Sequence, residues 1–312
     1  MIVVFGSRGQ VGRALTEALG ECPTHLFLHR ESRDYCGELT NLAGITETLM
    51  ELKPEIIINA AAYTAVDQAE THSERAFAIN AHAVGAIAQI AAKLNALLVH
   101  YSTDYVFNGA GSRPWHEGDS CQPLSIYGKS KHAGEEMIEK SGVRHFILRT
   151  SWVYSHHGTN FLKTMLKLAD VREEIRVVSD QWGAPTHASL LAETTLNLVN
   201  LSTPGLGSDP SKVPPYGIYH CAPTGETSWF EYAKLAIDTA KSAGAAQACQ
   251  RITPIPTASY PTAAQRPLNS RLDTNKLKRV LDTSLPDWRE AVVTTVREIL
   301  DRQQPLDSNY GK

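Results

Sequence analysis

Three glycines that follow the first apolar run constrain the fold more than any other feature of the sequence. Residues Ile2–Phe5 are β-branched or aromatic, which predicts a short strand. The strand leads into Gly6-x-x-Gly9-x-x-Gly12, and a helical pattern begins at Arg13. Such glycines allow a tight turn, close approach of the backbone to a phosphate, and close packing of the helix on the strand. The stretch predicts a dinucleotide site at a helix N-terminus, and a glycine-rich connector is the alternative.

Strands and helices then alternate through the first 150 residues. The apolar runs that predict strands lie at residues 2–5, 25–28, 55–59, 96–100 and 145–149. Helical patterns separate them at residues 13–19, 45–52, 73–95 and 127–140. This alternation predicts an α/β fold built on a doubly wound parallel Rossmann sheet.

The rest of the chain predicts a smaller C-terminal α/β lobe that binds the substrate. Further helices are predicted at residues 160–169, 188–200, 228–241 and 287–302, and strands at 176–178 and 217–222. We expect residues 1–150, with returns near 176–200 and 216–222, to form the dinucleotide-binding domain. The substrate-binding lobe then takes about 151–175 and 223–302, while 202–215 form an exposed connector and 303–312 a loose tail.

The composition excludes several classes of protein. The chain has 312 residues, of which 42% are hydrophobic and 20% charged, and its formal net charge is −3. Because Lys and Arg are dispersed along it, we expect neither nucleic acid nor a membrane as a partner. No apolar run approaches the roughly 18 residues of a transmembrane helix, and the N-terminal run has no basic region before it, unlike a signal peptide. Five scattered cysteines predict reduced thiols in a cytoplasmic protein, and the adjacent His156 and His157 are not expected to share a metal.

A hydroxyl at a strand end and a Tyr-x-x-x-Lys pair predict a catalytic site. Thr103 ends a predicted strand, where open α/β sheets bind their ligands. Tyr127 and Lys131 lie four residues apart on a predicted helix and therefore share one face. An ammonium beside the phenol would lower the pKa of Tyr127 from about 10 and make it a proton donor. The Thr103 hydroxyl would then hydrogen-bond a substrate carbonyl; the alternative is the start of an ordinary amphipathic helix.

The end of the second strand bears on the choice of cofactor. An acidic residue there holds the ribose 2′-hydroxyl of NAD, whereas this chain has His29 and Arg30. Arg30, with Arg8 and Arg33, would instead meet a 2′-phosphate, although these cations could also be solvated surface residues. We therefore expect NADPH, with NADH as the alternative.

The third strand ends in small residues. Asn59 is followed by Ala60, Ala61 and Ala62, which would let a cofactor lie against the backbone, although a crowded core would also explain them. Asn80, in the long helix that follows, is expected to tie neighbouring backbones together.

These motifs together resemble the extended short-chain dehydrogenase/reductases, and within them the dTDP-4-dehydrorhamnose reductase family. The resemblance covers about Met1 to Arg302. Beyond the glycines and the Tyr-Lys pair, it is carried by four stretches: Ser102–Phe107 with Gly109, Arg149–Tyr154, Asp180–Thr186 and Arg266–Leu272.

The resemblance implies an activity and a role for each matched residue. The activity is NAD(P)H-dependent reduction of the 4-keto group of a dTDP-linked 4-keto-6-deoxy sugar to dTDP-L-rhamnose, for cell-surface polysaccharide. The implied catalytic set is Thr103, Tyr127 and Lys131. The implied cofactor-binding residues are Gly6, Gly9, Gln10, Val11, Gly12, His29, Arg30, Ala61, Ala62, Tyr63, Thr64 and Tyr101. The implied substrate-binding residues are Thr103, Asp104, Trp152, Arg266 and Asn269.

The chain departs from the family at two places. The first is His29, where members often carry an acidic residue. The second concerns magnesium, which some members hold with glutamates at a subunit contact. The matching positions here are Ala14 and Ser189, which supply no carboxylate, so we expect no metal and leave a homodimer open.

Two other functions fit the same fold. A non-catalytic regulatory subunit of a methionine adenosyltransferase shares similar motifs, and intact Thr103, Tyr127 and Lys131 argue against it. A nucleotide-sugar epimerase would retain its cofactor through turnover, whereas a reductase would consume reduced cofactor.

Overall fold

The computed structural model describes residues 1–202 and 213–303. Six parallel strands form the central sheet in the order β2-β1-β3-β4-β5-β8. Its strands are β1 (Ile2–Phe5), β2 (His25–Leu28), β3 (Ile56–Asn59), β4 (Leu97–Thr103), β5 (His145–Thr150) and β8 (Gly217–His220). Outside this sheet, β6 (Glu174–Val178) pairs with β10 (Arg251–Ile255), and β7 (Trp182–Gly183) pairs with β9 (Thr227–Ser228).

The described part of the chain also forms helices, some of which cover the two faces of this sheet. They are α1 (Gln10–Leu19), α2 (Leu42–Leu52), α3 (Val66–Ala69), α4 (Ser73–Phe77), α5 (Ala83–Leu94), α6 (Ile126–Ser141), α7 (Phe161–Val171), α8 (Ala188–Ser202), α9 (Trp229–Ser242), α10 (Asn275–Leu281) and α11 (Trp288–Gln303). A π-helical turn, Ala78–His82, joins α4 to α5, and 3₁₀ turns lie at Asp104–Val106 and Thr257–Ser259.

Two hydrophobic cores lie on opposite faces of the sheet. Alternate residues of β1 point to opposite sides, so Val3 packs with α2, α5 and α6, and Val4 packs with α1 and α8. Both residues are fully buried. The predicted doubly wound parallel sheet is confirmed.

A smaller lobe packs beside the sheet, around α7, α9 and α11. Its core joins Leu162, Tyr232 and Val292, which are buried. Strand β6, at the start of the predicted return of residues 176–200, pairs with β10 and not with the central sheet, whereas α8, at the end of that return, packs on the sheet. Strand β10 was missed because Pro254 interrupts its pattern; in a two-stranded ribbon that residue lies on an open edge, where no ladder hydrogen bond is lost. Helix α10 packs on β8 of the central sheet, although its residues lie in the part of the chain that was predicted to form the lobe.

The helical stretch Ser73–Leu94 bears on the expectation that the chain has no transmembrane helix. Among the described residues it is the helical stretch that is long and apolar enough to cross a membrane, although half of its most apolar 18 residues is buried inside the protein. Its small and aliphatic residues pack against the sheet and against α6. The packing is close, since an added Cβ at Gly85 would lie 2.7 Å from the Met137 sulfur. The apolar character serves this packing.

Helix ends and strand lengths differ slightly from prediction. Helix α2 begins at Leu42, three residues early, because the Asn41 side chain accepts a hydrogen bond from the Gly44 amide. Strand β4 continues to Thr103, which pairs with Thr150. The predicted position of Thr103 at a strand end is confirmed. Of the predicted tail, residues 303–312, the first residue belongs to α11 and the others lie outside the described residues, as do residues 203–212 of the predicted connector.

Candidate functional site

A cavity of about 1140 Å³ runs along the carboxyl ends of the parallel strands. It crosses the point between β1 and β3 where the strand order reverses, which is the usual ligand crevice of such sheets. The predicted site residues that line it are Gly6, Gly9, Gln10, Val11, His29, Arg30, Ala61, Ala62, Tyr63, Thr64, Tyr101, Thr103, Asp104, Tyr127, Lys131, Trp152 and Arg266. Two of the predicted residues, Gly12 and Asn269, do not line it.

The glycine-rich turn has the shape that a phosphate requires. Gly6 has a φ of +81°, and an added Cβ there would lie 2.6 Å from the Ala61 amide nitrogen. Helix α1 starts directly behind the turn, and its N-cap residue, Gly9, makes no side-chain cap, so the first amides remain available to an anion. Gly12 is buried one turn later, where a Cβ would lie 2.0 Å from the Gly6 carbonyl oxygen. Its role is therefore packing of helix on strand, without contact with the cavity.

Gln10 ties the turn to the loop after β5. Its Oε1 accepts hydrogen bonds from Asn160 Nδ2 at 2.8 Å and from the Ser155 hydroxyl at 3.3 Å. The backbone of Tyr63, across the cavity, is fixed by Asn80, whose side chain bonds both its amide and its carbonyl. Asn80 also bonds Ser130 on α6, so the expected structural role of this buried amide is confirmed.

Thr103 and Tyr127 meet at the floor of the cavity. Helix α6 begins at Ile126 because the Ser125 side chain caps it, and this places Tyr127 in the first turn. Thr103 is 5% exposed, and its hydroxyl donates to Asp104 Oδ1 at 3.1 Å. Burial raises the pKa of Tyr127 to about 12, with Asp104 acting in the same direction and the Thr103 hydrogen bond against it. The predicted lowering of the Tyr127 pKa is therefore wrong for this structure.

The contacts of Lys131 explain why it does not lower the pKa of Tyr127. Its Nζ donates to the Tyr101 carbonyl oxygen at 2.6 Å and lies 3.0 Å from His100 Nε2, so its polar contacts face the sheet. Burial lowers the pKa of Lys131 to about 8, against the charge of Glu135. The Tyr101 phenol points away from Lys131 and bonds the Thr195 hydroxyl. His100 was not singled out from the sequence, where it is one residue of an apolar strand.

Trp152 forms a wall of the cavity on the side of the smaller lobe. It adopts a φ of +49°, a left-handed conformation that is unfavourable for a bulky residue. Its ring stacks on Trp229 with centroids 3.8 Å apart, and Gly183 packs closely behind it. Sequence reasoning missed Trp229, because nothing in its spacing distinguishes it from a core residue of α9.

Two charged residues at this end are already partly engaged. Arg266 donates from one guanidinium nitrogen to Asp67 at 2.7 Å, which leaves part of its fork for a ligand. Asp104 is buried, and burial raises the pKa of Asp104 to about 7, opposed by hydrogen bonds from Ser270 and Thr103.

Asn269 does not reach the cavity. It is 1% exposed, and its side chain donates to the Arg113 carbonyl and accepts from the Arg271 guanidinium. Both ends of the amide are therefore used to hold neighbouring loops, and the structure does not support the predicted contact with substrate.

The mouth of the cavity lies at the end of β2. Arg30 is exposed there, and Arg8 forms an exposed ion pair with Glu31. Arg33 does not line the cavity. Of the three arginines expected at a 2′-phosphate, the structure brings Arg8 and Arg30 to the cavity.

Two groups of possible metal ligands occur among the described residues. Glu17, His156 and His157 bring their ligand atoms within 4.8 Å of one another. The rings of the two adjacent histidines lie close together, with centroids 3.9 Å apart. In the second group, Cys121, His132 and Glu135, the carboxylate is already bound to Arg149. Absence of a metal stays a prediction.

Comparison with known proteins identifies relatives over nearly the whole chain. The RmlD substrate binding domain family matches residues 1–300. The dTDP-4-dehydrorhamnose reductase of Escherichia coli K12 is 44% identical over 298 residues, which covers 96% of this chain and 97% of that protein. The crystal structure of the Bacillus anthracis dTDP-4-dehydrorhamnose reductase in complex with NADP is 34% identical, with a TM-score of 0.83 over 95% of this chain and 98% of that one. The Clostridium acetobutylicum counterpart is 31% identical, with a TM-score of 0.84 over 96% and 99%.

Proposed function

We propose, because the chain belongs to the RmlD substrate binding domain family, that it is a cytoplasmic dTDP-4-dehydrorhamnose reductase. It would use NADPH to reduce the 4-keto group of dTDP-4-dehydro-L-rhamnose and give dTDP-L-rhamnose. The observation that carries the proposal is that one cavity has at one end a glycine-rich turn that could accommodate a phosphate, and at its floor Thr103, Tyr127 and Lys131.

The residues of the floor can supply what a ketone reduction needs. The nicotinamide cofactor supplies the hydride that forms the new C4–H bond. Tyr127 donates its proton to the oxygen, and the Thr103 hydroxyl hydrogen-bonds the same oxygen and orients it. A pKa near 12 keeps the proton on Tyr127 at neutral pH. An alkoxide is a much stronger base than a phenolate, so the transfer is favourable once charge develops on the sugar oxygen.

The other end of the cavity suits a phosphorylated cofactor. The free amides at the start of α1 would bind the pyrophosphate, and Arg30 would pair with a 2′-phosphate. Arg8 is a second cation at this end, and it would have to separate from the exposed Glu31 carboxylate before it could bind the 2′-phosphate. Trp152 and the free part of Arg266 would bind the nucleotide-sugar, because an aromatic wall and a guanidinium suit a sugar and a diphosphate.

A spectrophotometric assay tests the proposal. NADPH and NADH oxidation would be followed with the purified protein and a small panel of nucleotide-linked 4-keto sugars. We expect stoichiometric NADPH oxidation with the dTDP-linked 4-keto-6-deoxy sugar. Turnover without net oxidation would indicate an epimerase, and no turnover with any sugar would favour a regulatory subunit.

A further inference from the structure

Lys131 belongs to a buried chain of hydrogen bonds that leads away from the cavity. The chain runs from Lys131 Nζ to His100 Nε2 at 3.0 Å, and from His100 Nδ1 to Asn59 Nδ2 at 3.2 Å. All three side chains are at most 2% exposed, so their polar partners come mainly from the protein. Each hydrogen in the chain must therefore be accounted for by these residues and their backbone neighbours.

The orientation of the Asn59 amide is fixed from outside the chain. Its Oδ1 accepts a hydrogen bond from the Ala61 amide at 3.1 Å. A flipped side chain would place NH₂ against that N–H, which is also a donor, and the contact would be repulsive. The NH₂ group of Asn59 therefore faces His100, and His100 Nδ1 must accept.

This orientation determines the tautomer of His100. An imidazole that accepts at Nδ1 is neutral and carries its single proton on Nε2. The Nε2–H group then donates to Lys131 Nζ, and only an uncharged amine has the lone pair to accept it. The amine still donates to the Tyr101 carbonyl oxygen, so each contact of the chain pairs one donor with one acceptor.

We propose that His100 is a positioning residue that, locked by Asn59, holds Lys131 as an uncharged amine in the free protein at mildly alkaline pH. For the reduction proposed above, on which this consequence rests, the cation beside Tyr127 is then absent from the free protein at that pH. It has to be formed by proton uptake when the cavity is filled.

The charged and titratable groups around Nζ are consistent with this assignment. On its own helix, Tyr127 is kept neutral by its raised pKa, and Glu135 is bound by both guanidinium nitrogens of Arg149 at 2.9 and 2.6 Å. From β4, the neighbours are His100 and the carbonyl of Tyr101, whose phenol bonds Thr195. Burial lowers the pKa of Lys131 and of His100, which favours the uncharged form of each.

The substitution Asn59→Asp reverses the direction of the hydrogen bonds between residue 59, His100 and Lys131, and it hardly changes the shape of the side chain. One carboxylate oxygen still accepts from the Ala61 amide, while the other replaces NH₂ and accepts from His100 Nδ1–H. The imidazole then exposes a bare Nε2 to Lys131, which becomes an ammonium donor. Asn95→Asp is the matched control, because it adds the same charge at the C-terminal end of α5, away from His100.

The experiment uses the free full-length protein with ¹⁵N-labelled histidine and ¹³C-labelled lysine. Nitrogen shifts at pH 9 give the His100 tautomer, and side-chain carbon shifts give the charge of Lys131. We expect Nε2–H and an uncharged lysine in the wild type and in Asn95→Asp, and Nδ1–H with a charged lysine in Asn59→Asp. An Nδ1–H tautomer or an ammonium in the wild type would overturn the proposal, even if Asn59→Asp failed to fold.

A pH profile separates this inference from the proposed function. If reductase activity is found, its alkaline limb should move up by about 1–3 pH units in Asn59→Asp, because the ammonium persists to higher pH. If the folded Asn59→Asp variant had its alkaline limb at the same pH as the wild type, a role of His100 in setting the charge of Lys131 would be contradicted. The resonance measurement needs no substrate, so a failed activity assay would leave it standing.

Discussion

The floor and the mouth of the cavity are built in opposite ways. At the floor, Thr103 and Lys131 are 5% and 2% exposed and their polar atoms are held by buried partners. At the mouth, Arg30 is exposed and Arg8 pairs with Glu31 in water, with about 60% of each side chain accessible. Interactions in a buried site are strong and insensitive to salt, whereas exposed charges are screened. We therefore assign chemistry to the floor and cofactor discrimination to the mouth.

Removing the phenol from the floor should have the largest effect. In Tyr127→Phe we expect kcat to fall about 10²–10⁴-fold, the typical contribution of a positioned acid, while cofactor affinity stays almost unchanged. Steady-state kinetics and cofactor titration measure the two quantities. Tyr216→Phe, at an exposed tyrosine outside the cavity, is the control. A variant that keeps more than roughly a tenth of the wild-type kcat would remove Tyr127 from the donor role.

Removing the cation from the mouth should change selectivity and leave the chemistry intact. We expect the wild type to prefer NADPH over NADH by roughly ten- to a hundredfold in kcat/KM, because a charge-assisted pair supplies that much discrimination. Arg30→Ala should lose most of this preference through NADPH alone, and added salt should weaken it in the wild type. Arg33→Ala is the control, since Arg33 does not line the cavity. An unchanged ratio in Arg30→Ala would move the phosphate contact to Arg8.

The aromatic wall should have an intermediate effect. Trp152→Ala removes a ring that lines the cavity and stacks on Trp229, so we expect the sugar KM to rise about tenfold, with little change in kcat. Trp182→Ala, at a half-exposed ring outside the cavity, should leave KM unchanged. If Trp152→Ala lowered the melting temperature strongly and left KM unaltered, Trp152 would be a core residue only.

The smallest effect concerns stability, and it tests the burial of the floor. The pKa of Asp104 is raised to about 7, so the folded protein binds a proton there that the unfolded chain releases near pH 4. This contribution to stability is complete below pH 4 and is lost as pH rises to 7. Asp104→Asn should therefore raise the melting temperature at pH 8 by a few degrees and change it little at pH 4. An equal shift at both pH values would show that the carboxylate is not desolvated.

The sequence predicts the floor better than it predicts the partners of the floor. Thr103 is found because an apolar strand precedes it, and the Tyr127–Lys131 pair because helical spacing places both on one face. The contact of Lys131 with His100, and that of His100 with Asn59, could not be predicted, since they depend on the register of neighbouring strands, which is a long-range property. The contact of Asn269 with the Arg113 carbonyl could not be predicted for the same reason, because Arg113 lies on a loop that is distant in the sequence.

Transfer of a labelled hydride tests the assignment of chemistry to the floor most directly. The purified protein would be given NADPH deuterated at the transferable position and the dTDP-linked 4-keto-6-deoxy sugar, and the product examined by NMR. We predict one deuterium at C4 of the product for each NADPH oxidised, in the wild type and in Arg30→Ala, and almost none in Tyr127→Phe over the same time. Deuterium at another carbon, or product formed without oxidation of NADPH, would contradict the account.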